Sequence, residues 1–172
     1  MQDMGFLPDI KRILKREAAK RQTLLFSATM PPPTAALTRE MLHKPLMIDL
    51  GRRSLPAVGI TQAVYPVEQD LKKDLLLALL DRGEMAQALV FTRTKHRANR
   101  LAEQLVKRGI KAERIHGNRS QGQRTAALAG FKNGHYKVLV ATDIAARGID
   151  IEALGHVVNF DVPQAPDDYI HR

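Results

Sequence analysis

The sequence predicts an α/β protein built on a parallel sheet flanked by helices, and three observations carry that prediction. From residue 88 onward, short apolar runs alternate with segments of helical periodicity, the order expected of parallel strands joined by right-handed crossovers. Two of those runs, around Leu89-Val90-Phe91 and Val138-Leu139-Val140, are apolar without a break, as strands buried on both faces tend to be. Both then stop abruptly at polar residues, Thr92-Arg93-Thr94-Lys95 in one case and Thr142-Asp143 in the other. Strands whose carboxyl ends carry polar groups suit the ligand crevice of an open α/β sheet. For Thr142-Asp143 alone, a core strand capped by an ordinary polar loop is the other reading.

The elements follow in order. Pro8 suits the first turn of a helix on which Ile10, Ile13 and Leu14 recur at helical spacing, with the basic run Lys11 to Arg21 on its solvent face. Thr23-Leu24-Leu25-Phe26 reads as a short buried strand ending at Ser27-Ala28-Thr29. Pro31, Pro32 and Pro33 interrupt the chain before a brief helix over Ala35 to Leu42. Residues 43 to 60 hold Pro45, Gly51, Arg52, Arg53, Pro56 and Gly59 with little periodicity, and their later part reads as a linker. Residues 60 to 67 alternate like a strand, and Leu71, Leu75, Ala78 and Leu79 form a helix stripe stopped by Gly83. After a strand over Ala88 to Thr92, Ala98, Leu101, Ala102 and Leu105 face inward on a helix ending near Gly109. A strand over Ala112 to His116, a helix from Gln121 to about Phe131, a strand over Lys137 to Ala141, a short helix and a strand over His156 to Phe160 complete the series.

With 172 residues, 44% of them hydrophobic, the chain is long enough to bury a core, as one domain or as one domain and part of another. Its formal net charge of +9 points to a polyanionic partner such as nucleic acid, or to an anionic surface, and is large for charge that serves solubility alone. Aromatic residues are 5% of the chain and tryptophan is absent, so bases stacked on an aromatic platform are a poor fit; contact through the phosphate backbone is the better one. The absence of cysteine excludes disulfides, thiolate metal sites and cysteine nucleophiles, and fits a cytoplasmic setting. The longest apolar run, Leu75 to Leu80, is far too short to span a bilayer, so no membrane partner is expected. The opening Met1-Gln2-Asp3-Met4-Gly5 has no basic segment leading into an apolar stretch.

One further segment carries recognisable chemistry. In His116-Gly117-Asn118-Arg119-Ser120-Gln121-Gly122-Gln123-Arg124, Ser120 and Gln123 have the spacing of a capping box, which marks a helix start. A helix N-terminus offers unpaired backbone N–H groups and the positive end of the helix dipole. Gly117 allows close approach, and Arg119 and Arg124 add cationic donors. The segment is a phosphate cradle or, equally, a surface turn with two solvated arginines.

Taken together these segments resemble the DEAD-box RNA helicases, and the resemblance is collinear over the whole chain. Val138-Leu139-Val140-Ala141-Thr142-Asp143-Ile144-Ala145-Ala146-Arg147-Gly148-Ile149-Asp150-Ile151 is similar to motif V of that family. Ala88 to Lys95 resembles motif IV, and His116-Gly117 with Gln121-x-x-Arg124 resembles the family's His-Gly and Gln-x-x-Arg elements. Ser27-Ala28-Thr29, after Leu24-Leu25-Phe26, resembles motif III. Asp3-Met4-Gly5-Phe6 resembles the stretch just past the family's Asp-Glu-Ala-Asp signature, and Asp168-Tyr169-Ile170-His171-Arg172 resembles the start of motif VI. Phe91 to His96 and His116-Gly117-Asn118 are most similar to the bacterial RhlE-like branch.

The resemblance implies RecA-like lobes that clamp ATP, with Mg2+, between them and bind structured or duplex RNA across both. It implies that Arg93, Gly117, Gln121, Arg124 and Thr142 hold RNA backbone, and that Asp150, beside Gly148, reaches the ATP ribose. Ser27 and Thr29 would couple nucleotide state to lobe closure. Arg147 would be a positioning residue near the RNA and the interlobe face, or would brace its loop by a salt bridge to Asp143. His171 and Arg172 would open motif VI. Ribosome-assembly or RNA-decay factors are conceivable partners that the sequence does not name.

The chain contains no Gly-x-x-x-x-Gly-Lys-Ser/Thr and no Asp-Glu-Ala-Asp, and the family's arginines beyond His171-Arg172 are absent. The expectation is a fragment: residues 1–50 as the end of a first lobe whose missing part would hold the metal ligands, 51–60 as a linker, and 61–172 as a truncated second lobe. Such a fragment should not hydrolyse ATP by itself, although the intact protein would be an ATP-dependent helicase that remodels short duplexes. A non-catalytic module gripping RNA backbone, and a DNA-translocating helicase, are the other readings. Residues 1 to 43 lack partner strands and should be poorly ordered or sticky, whereas 60 to 170 should form an α/β unit.

Overall fold

Four short runs of apolar residues pair into one parallel sheet, and the alternation of side chains along them generates two cores. The computed structural model describes residues 7–18, 20–27, 30, 32–49, 59–146, 151, 154–164 and 166–172. The chain divides into two units, Met1–Pro56 and Ala57–Arg172.

In the first unit, α1 (Leu7–Leu14) and α2 (Pro32–Met41) are helices, joined by the ion pair Lys11 Nζ–Glu40 Oε2 at 2.8 Å. Ile10 and Leu14 are half-buried, but Ile13 is exposed, so the expected stripe on α1 is narrower than its spacing suggests. The strand expected over Thr23 to Phe26 does not form. Leu24 is 68% and Phe26 is 90% exposed, and the described part of this unit contains no strand to pair with. A strand is stable only when a neighbour takes its N–H and C=O groups, whatever its own propensity.

In the second unit, residues 60 to 67 also stay out of the sheet. Their alternation survives as sequence, but Ile60, Val64 and Tyr65 are exposed and no ladder takes them up. A 3-10 turn over Gln69–Leu71 leads into α3 (Lys72–Asp81). That turn places Leu71 outside the helix, and the buried face of α3 is Leu76, Leu77 and Leu80 rather than the Leu71/Leu75/Ala78/Leu79 stripe expected. An apolar run unbroken from Leu75 to Leu80 leaves the phase of a helix undetermined by pattern alone, and packing decides it.

The strands β1 (Ala88–Phe91), β2 (Ala112–Ile115), β3 (Val138–Ala141) and β4 (Val157–Asn159) lie in the order β2-β3-β1-β4, all parallel. In register, Ala88 faces Val138 and Phe91 faces Ala141 across the central pair. Val90, Val138 and Val140 pack on α3 and on α4 (Lys95–Lys107), with Ala98, Leu101, Ala102 and Leu105 buried as expected. Leu89, Phe91, Leu139 and Ala141 point the other way, onto Ala127 and Phe131 of α5 (Gln121–Lys132). The short α6 (Asp143–Ala146) follows β3, and α7 (Pro166–His171) follows β4. Helix α4 ends in a Schellman motif: Gly109 at φ +80° donates to the Val106 carbonyl, and Ile110 donates to that of Leu105. Gly83, at φ +76°, follows the C-cap of α3 in the same left-handed conformation.

Candidate nucleic-acid interface

Parallel strands bring all their carboxyl ends to one edge, and here that edge collects the polar residues that interrupt each apolar run. From β1 come Thr92, Arg93, Thr94 and Lys95; from β2, His116 to Arg119; from β3, Thr142 and Asp143; from β4, Asp161.

Thr94 caps α4, its hydroxyl accepting the Arg97 N–H at 3.2 Å. The capping box expected at α5 is present: Gln123 N–H donates to Ser120 Oγ at 3.3 Å, and Ser120 N–H donates to Gln123 Oε1 at 3.1 Å. Two long-range contacts gather the loops. Lys95 Nζ donates to Asn118 Oδ1 at 3.1 Å, joining the β1–α4 turn to the β2–α5 turn across the intervening strand. Arg124 donates to Gln121 Oε1 at 3.3 Å and to the Ala145 carbonyl at 3.4 Å, joining α5 to α6.

Charge is partitioned along this edge. Asp161, 2% exposed, is met by Arg97 at 3.1 Å and Lys72 at 3.7 Å. Asp143 is met by Arg172, whose Nε lies 2.6 Å from Oδ1 and whose second nitrogen lies 2.9 Å from Oδ2. Arg172 also donates to Asn159 Oδ1 and the Asp161 carbonyl at 2.7 Å, and its guanidinium stacks 4.8 Å from the centre of the Phe91 ring. Arg119 approaches Glu113 at 3.4 Å. By contrast the exposed Arg93 and Lys95, and the half-buried Arg124, meet no acid among the described residues. The Nε atoms of Arg119 and Arg124 are buried without a hydrogen-bond partner.

His116 is 2% exposed, with Nε2 against Asn99 Oδ1 at 2.9 Å and Nδ1 unpartnered. Its pKa is lowered, first by burial and then by the cations of Arg119, Arg114 and Lys95, against a smaller opposing effect of Glu113. The imidazole is therefore neutral near pH 7 and contributes no charge.

The expected residues fall into three groups. Arg93, Gly117, Gln121, Arg124 and Thr142 share the carboxyl edge, though Thr142 is 8% exposed, with its N–H on the Ile115 carbonyl. Gly117 is exposed, and a Cβ built on it would meet nothing within 4 Å, so the fold itself makes no demand for glycine there. Arg172 closes α7 with its side chain 3% exposed, held by Asp143, the Asn159 side-chain oxygen and the Asp161 carbonyl. His171 ends α7, and its side chain lies outside what is described. Ser27 is exposed in the first unit. Thr29, Arg147, Gly148 and Asp150 lie outside the described residues, and the ATP-ribose and Arg147 readings with them. Asp143, the acid considered for Arg147, has Arg172 as its partner. Among the described residues no three His, Cys, Asp or Glu side chains stand together as a metal site.

Sequence reasoning missed Asp161 and the clasp of Arg172. The signal for Asp161 was present: Phe160-Asp161 ends a strand just as Thr142-Asp143 does. Nothing local announces that Arg172 would reach Asp143.

Residues 71–172 match the family model of the helicase conserved C-terminal domain. The DEAD-box ATP-dependent RNA helicase CshA of Geobacillus kaustophilus is 45% identical over 172 residues, which is 100% of this chain and 37% of that protein. Among solved structures, S. cerevisiae Dbp5 bound to RNA and ADP BeF3 aligns over 98% of this chain and 45% of its own, with TM-score 0.81 and 26% identity. A DEAD box protein from Methanococcus jannaschii aligns over 100% of this chain and 46% of its own, with TM-score 0.62 and 35% identity. The chain thus spans 33% to 37% of the length of the curated relatives it matches. With the family model covering the larger part of the chain and these relatives collinear along it, the chain belongs to the DEAD-box helicases, and its parallel sheet flanked by helices is their RecA-like helicase C-terminal domain.

Proposed function

We propose that this chain is the RNA-gripping second lobe, with the end of the first, of a cytoplasmic ATP-dependent RNA helicase that remodels short duplexes. The observation that carries the proposal is the charge partition at the carboxyl edge. Asp143, Asp161 and Glu113 are engaged by Arg172, Arg97, Lys72 and Arg119, which leaves Arg93, Lys95 and Arg124 without acidic partners among the described residues. Cations left uncompensated beside a helix N-terminus are the arrangement that phosphate oxygens complete. The domain reading is that residues 1–50 belong to the first lobe, 51–60 link, and 61–172 form the second.

In this reading Arg93, Gln121 and Arg124 hold successive phosphates, and Gly117 gives the backbone room to approach. Thr142 offers its place at the end of β3. In the intact protein, binding of ATP, with Mg2+, and of RNA would together favour the closed arrangement of the lobes. Ser27 and Thr29 relay closure, and Asp150 and Gly148 are assigned to the ribose side. Arg147 is assigned to RNA positioning near the interlobe face, and His171 with Arg172 to the start of motif VI. This chain alone is expected not to hydrolyse ATP. Placement in the RhlE-like branch rests on Phe91 to His96 and His116-Gly117-Asn118 alone.

The test is binding of the chain to labelled oligo(U) and to the matching DNA strand over a salt series. Preference for RNA with a linear log–log salt dependence is the expected result. Equal affinity for both strands would favour a DNA-translocating helicase, and no binding at low salt would end the backbone-grip reading. Should the two-lobe protein bind RNA without ATP hydrolysis, the non-catalytic module takes over.

A further inference from the structure

We infer that Asp161 is a positioning residue for Arg93, setting the direction in which that cation leaves the sheet. This rests on the reading of Arg93 as an RNA contact. In the β1–β4 ladder, the Leu89 N–H goes to the His156 carbonyl. The period of a parallel ladder would bring the Arg93 N–H to the carbonyl of Phe160. That carbonyl instead accepts Lys72 Nζ at 3.0 Å, and the Arg93 N–H is taken by Asp161 Oδ2 at 2.9 Å. The Asp161 N–H donates back to the Phe91 carbonyl at 3.1 Å. A side-chain carboxylate thus extends the edge past the end of β1, where the two strands part.

The other oxygen, Oδ1, meets Arg97 at 3.1 Å and Lys72 at 3.7 Å. Those cations account for burying the charge, since an ionised carboxylate 2% exposed needs compensation. They do not account for Oδ2 being directed at one main-chain N–H. That N–H belongs to the residue whose exposed side chain has no acid partner among the described residues. Three segments distant in sequence, at Lys72, Arg93 to Arg97 and Asp161, therefore converge to orient a single cation on the outer edge.

The experiment is a double-mutant cycle in the 172-residue chain, read as the Kd for labelled oligo(U) and its salt dependence. Arg93→Ala should reduce the slope by about 0.7, the value of one single-strand phosphate contact. Asp161→Ala should raise Kd by about three- to tenfold, the lower range of coupling between touching residues. In the Arg93→Ala background, Asp161→Ala should have almost no further effect, because the residue it positions has gone. An equal loss in both backgrounds makes Asp161 merely structural and overturns the inference. An unchanged slope in Arg93→Ala removes the RNA role of Arg93 itself, a separate failure visible before Asp161 is altered. If Asp161→Ala does not fold, amide exchange in the unaltered chain decides: Arg93 should be protected like Thr92, which donates to the Ala141 carbonyl at 2.9 Å. Exchange of Arg93 at an open-loop rate overturns the proposal.

Discussion

Arg124→Ala isolates one proposed phosphate contact. The guanidinium is held by two long hydrogen bonds to neutral acceptors, 3.3 Å to Gln121 Oε1 and 3.4 Å to the Ala145 carbonyl, while its Nε has no partner. Losing two such bonds costs about 1 kcal/mol of stability, because each net hydrogen bond contributes roughly 0.5–1.5 kcal/mol and these are at the weak end. The variant should therefore remain folded. Its effect on binding is read from salt. Each single-strand phosphate contact adds about 0.7 to the slope of log K against log salt, so it weakens binding about 2.6-fold for every fourfold rise in salt. Fluorescence anisotropy with labelled oligo(U) across that range should show the variant losing about 2.6-fold less affinity than the parent chain. Arg124→Lys should keep the slope but bind more weakly at every salt, because an ammonium retains the charge and not the planar fork. A slope unaltered in Arg124→Ala would falsify the assignment of Arg124 to the backbone grip.

Three further outcomes are expected. Ser120→Ala removes the hydroxyl half of the capping box at α5 and should cost about 1 kcal/mol, lowering the Tm by roughly 4 °C, while Ser120→Gly costs only a few tenths of a kcal/mol; equal losses in the two variants would show that the cap is not what they report. The pKa of His116 lies below its ordinary 6.5, so the folded state binds its proton less readily than the unfolded chain does. Its contribution to stability is complete above about pH 6.5 and declines as pH falls from there toward the folded pKa, and His116→Gln should flatten that part of a denaturation-versus-pH curve; an unchanged curve assigns the dependence elsewhere. Amide exchange should find strong protection over Ala88–Phe91 and Val138–Ala141 and weak protection over Thr23 to Phe26, where Phe26 is 90% exposed, and uniform protection would contradict the expectation that residues 1 to 43 lack partner strands.

Much of the second unit was legible because its signals are local. Apolar runs ending in Thr92 and Thr142, the Ser120/Gln123 spacing, and Ala98, Leu101, Ala102 and Leu105 each describe an element that forms from its own residues. The errors lie where a partner decides the outcome. Thr23 to Phe26 and residues 60 to 67 have strand-like patterns without strands, since a ladder needs a second edge. The α3 stripe was assigned to the wrong face because six apolar residues in succession have no phase of their own.

By itself, then, the sequence determined the parallel α/β order, the caps and stops of the helices, and the set of cations placed at strand ends. Those properties come from backbone preference and periodicity, which act over a few residues. Only the tertiary structure decided which of the cations are neutralised within the fold. Arg172 reaches Asp143 across 29 positions, and Asp161 holds the Arg93 N–H across 68. Whether a charge is left for a ligand depends on what stands within a few ångströms of it. That is a property of the folded edge, where strands far apart in sequence end side by side.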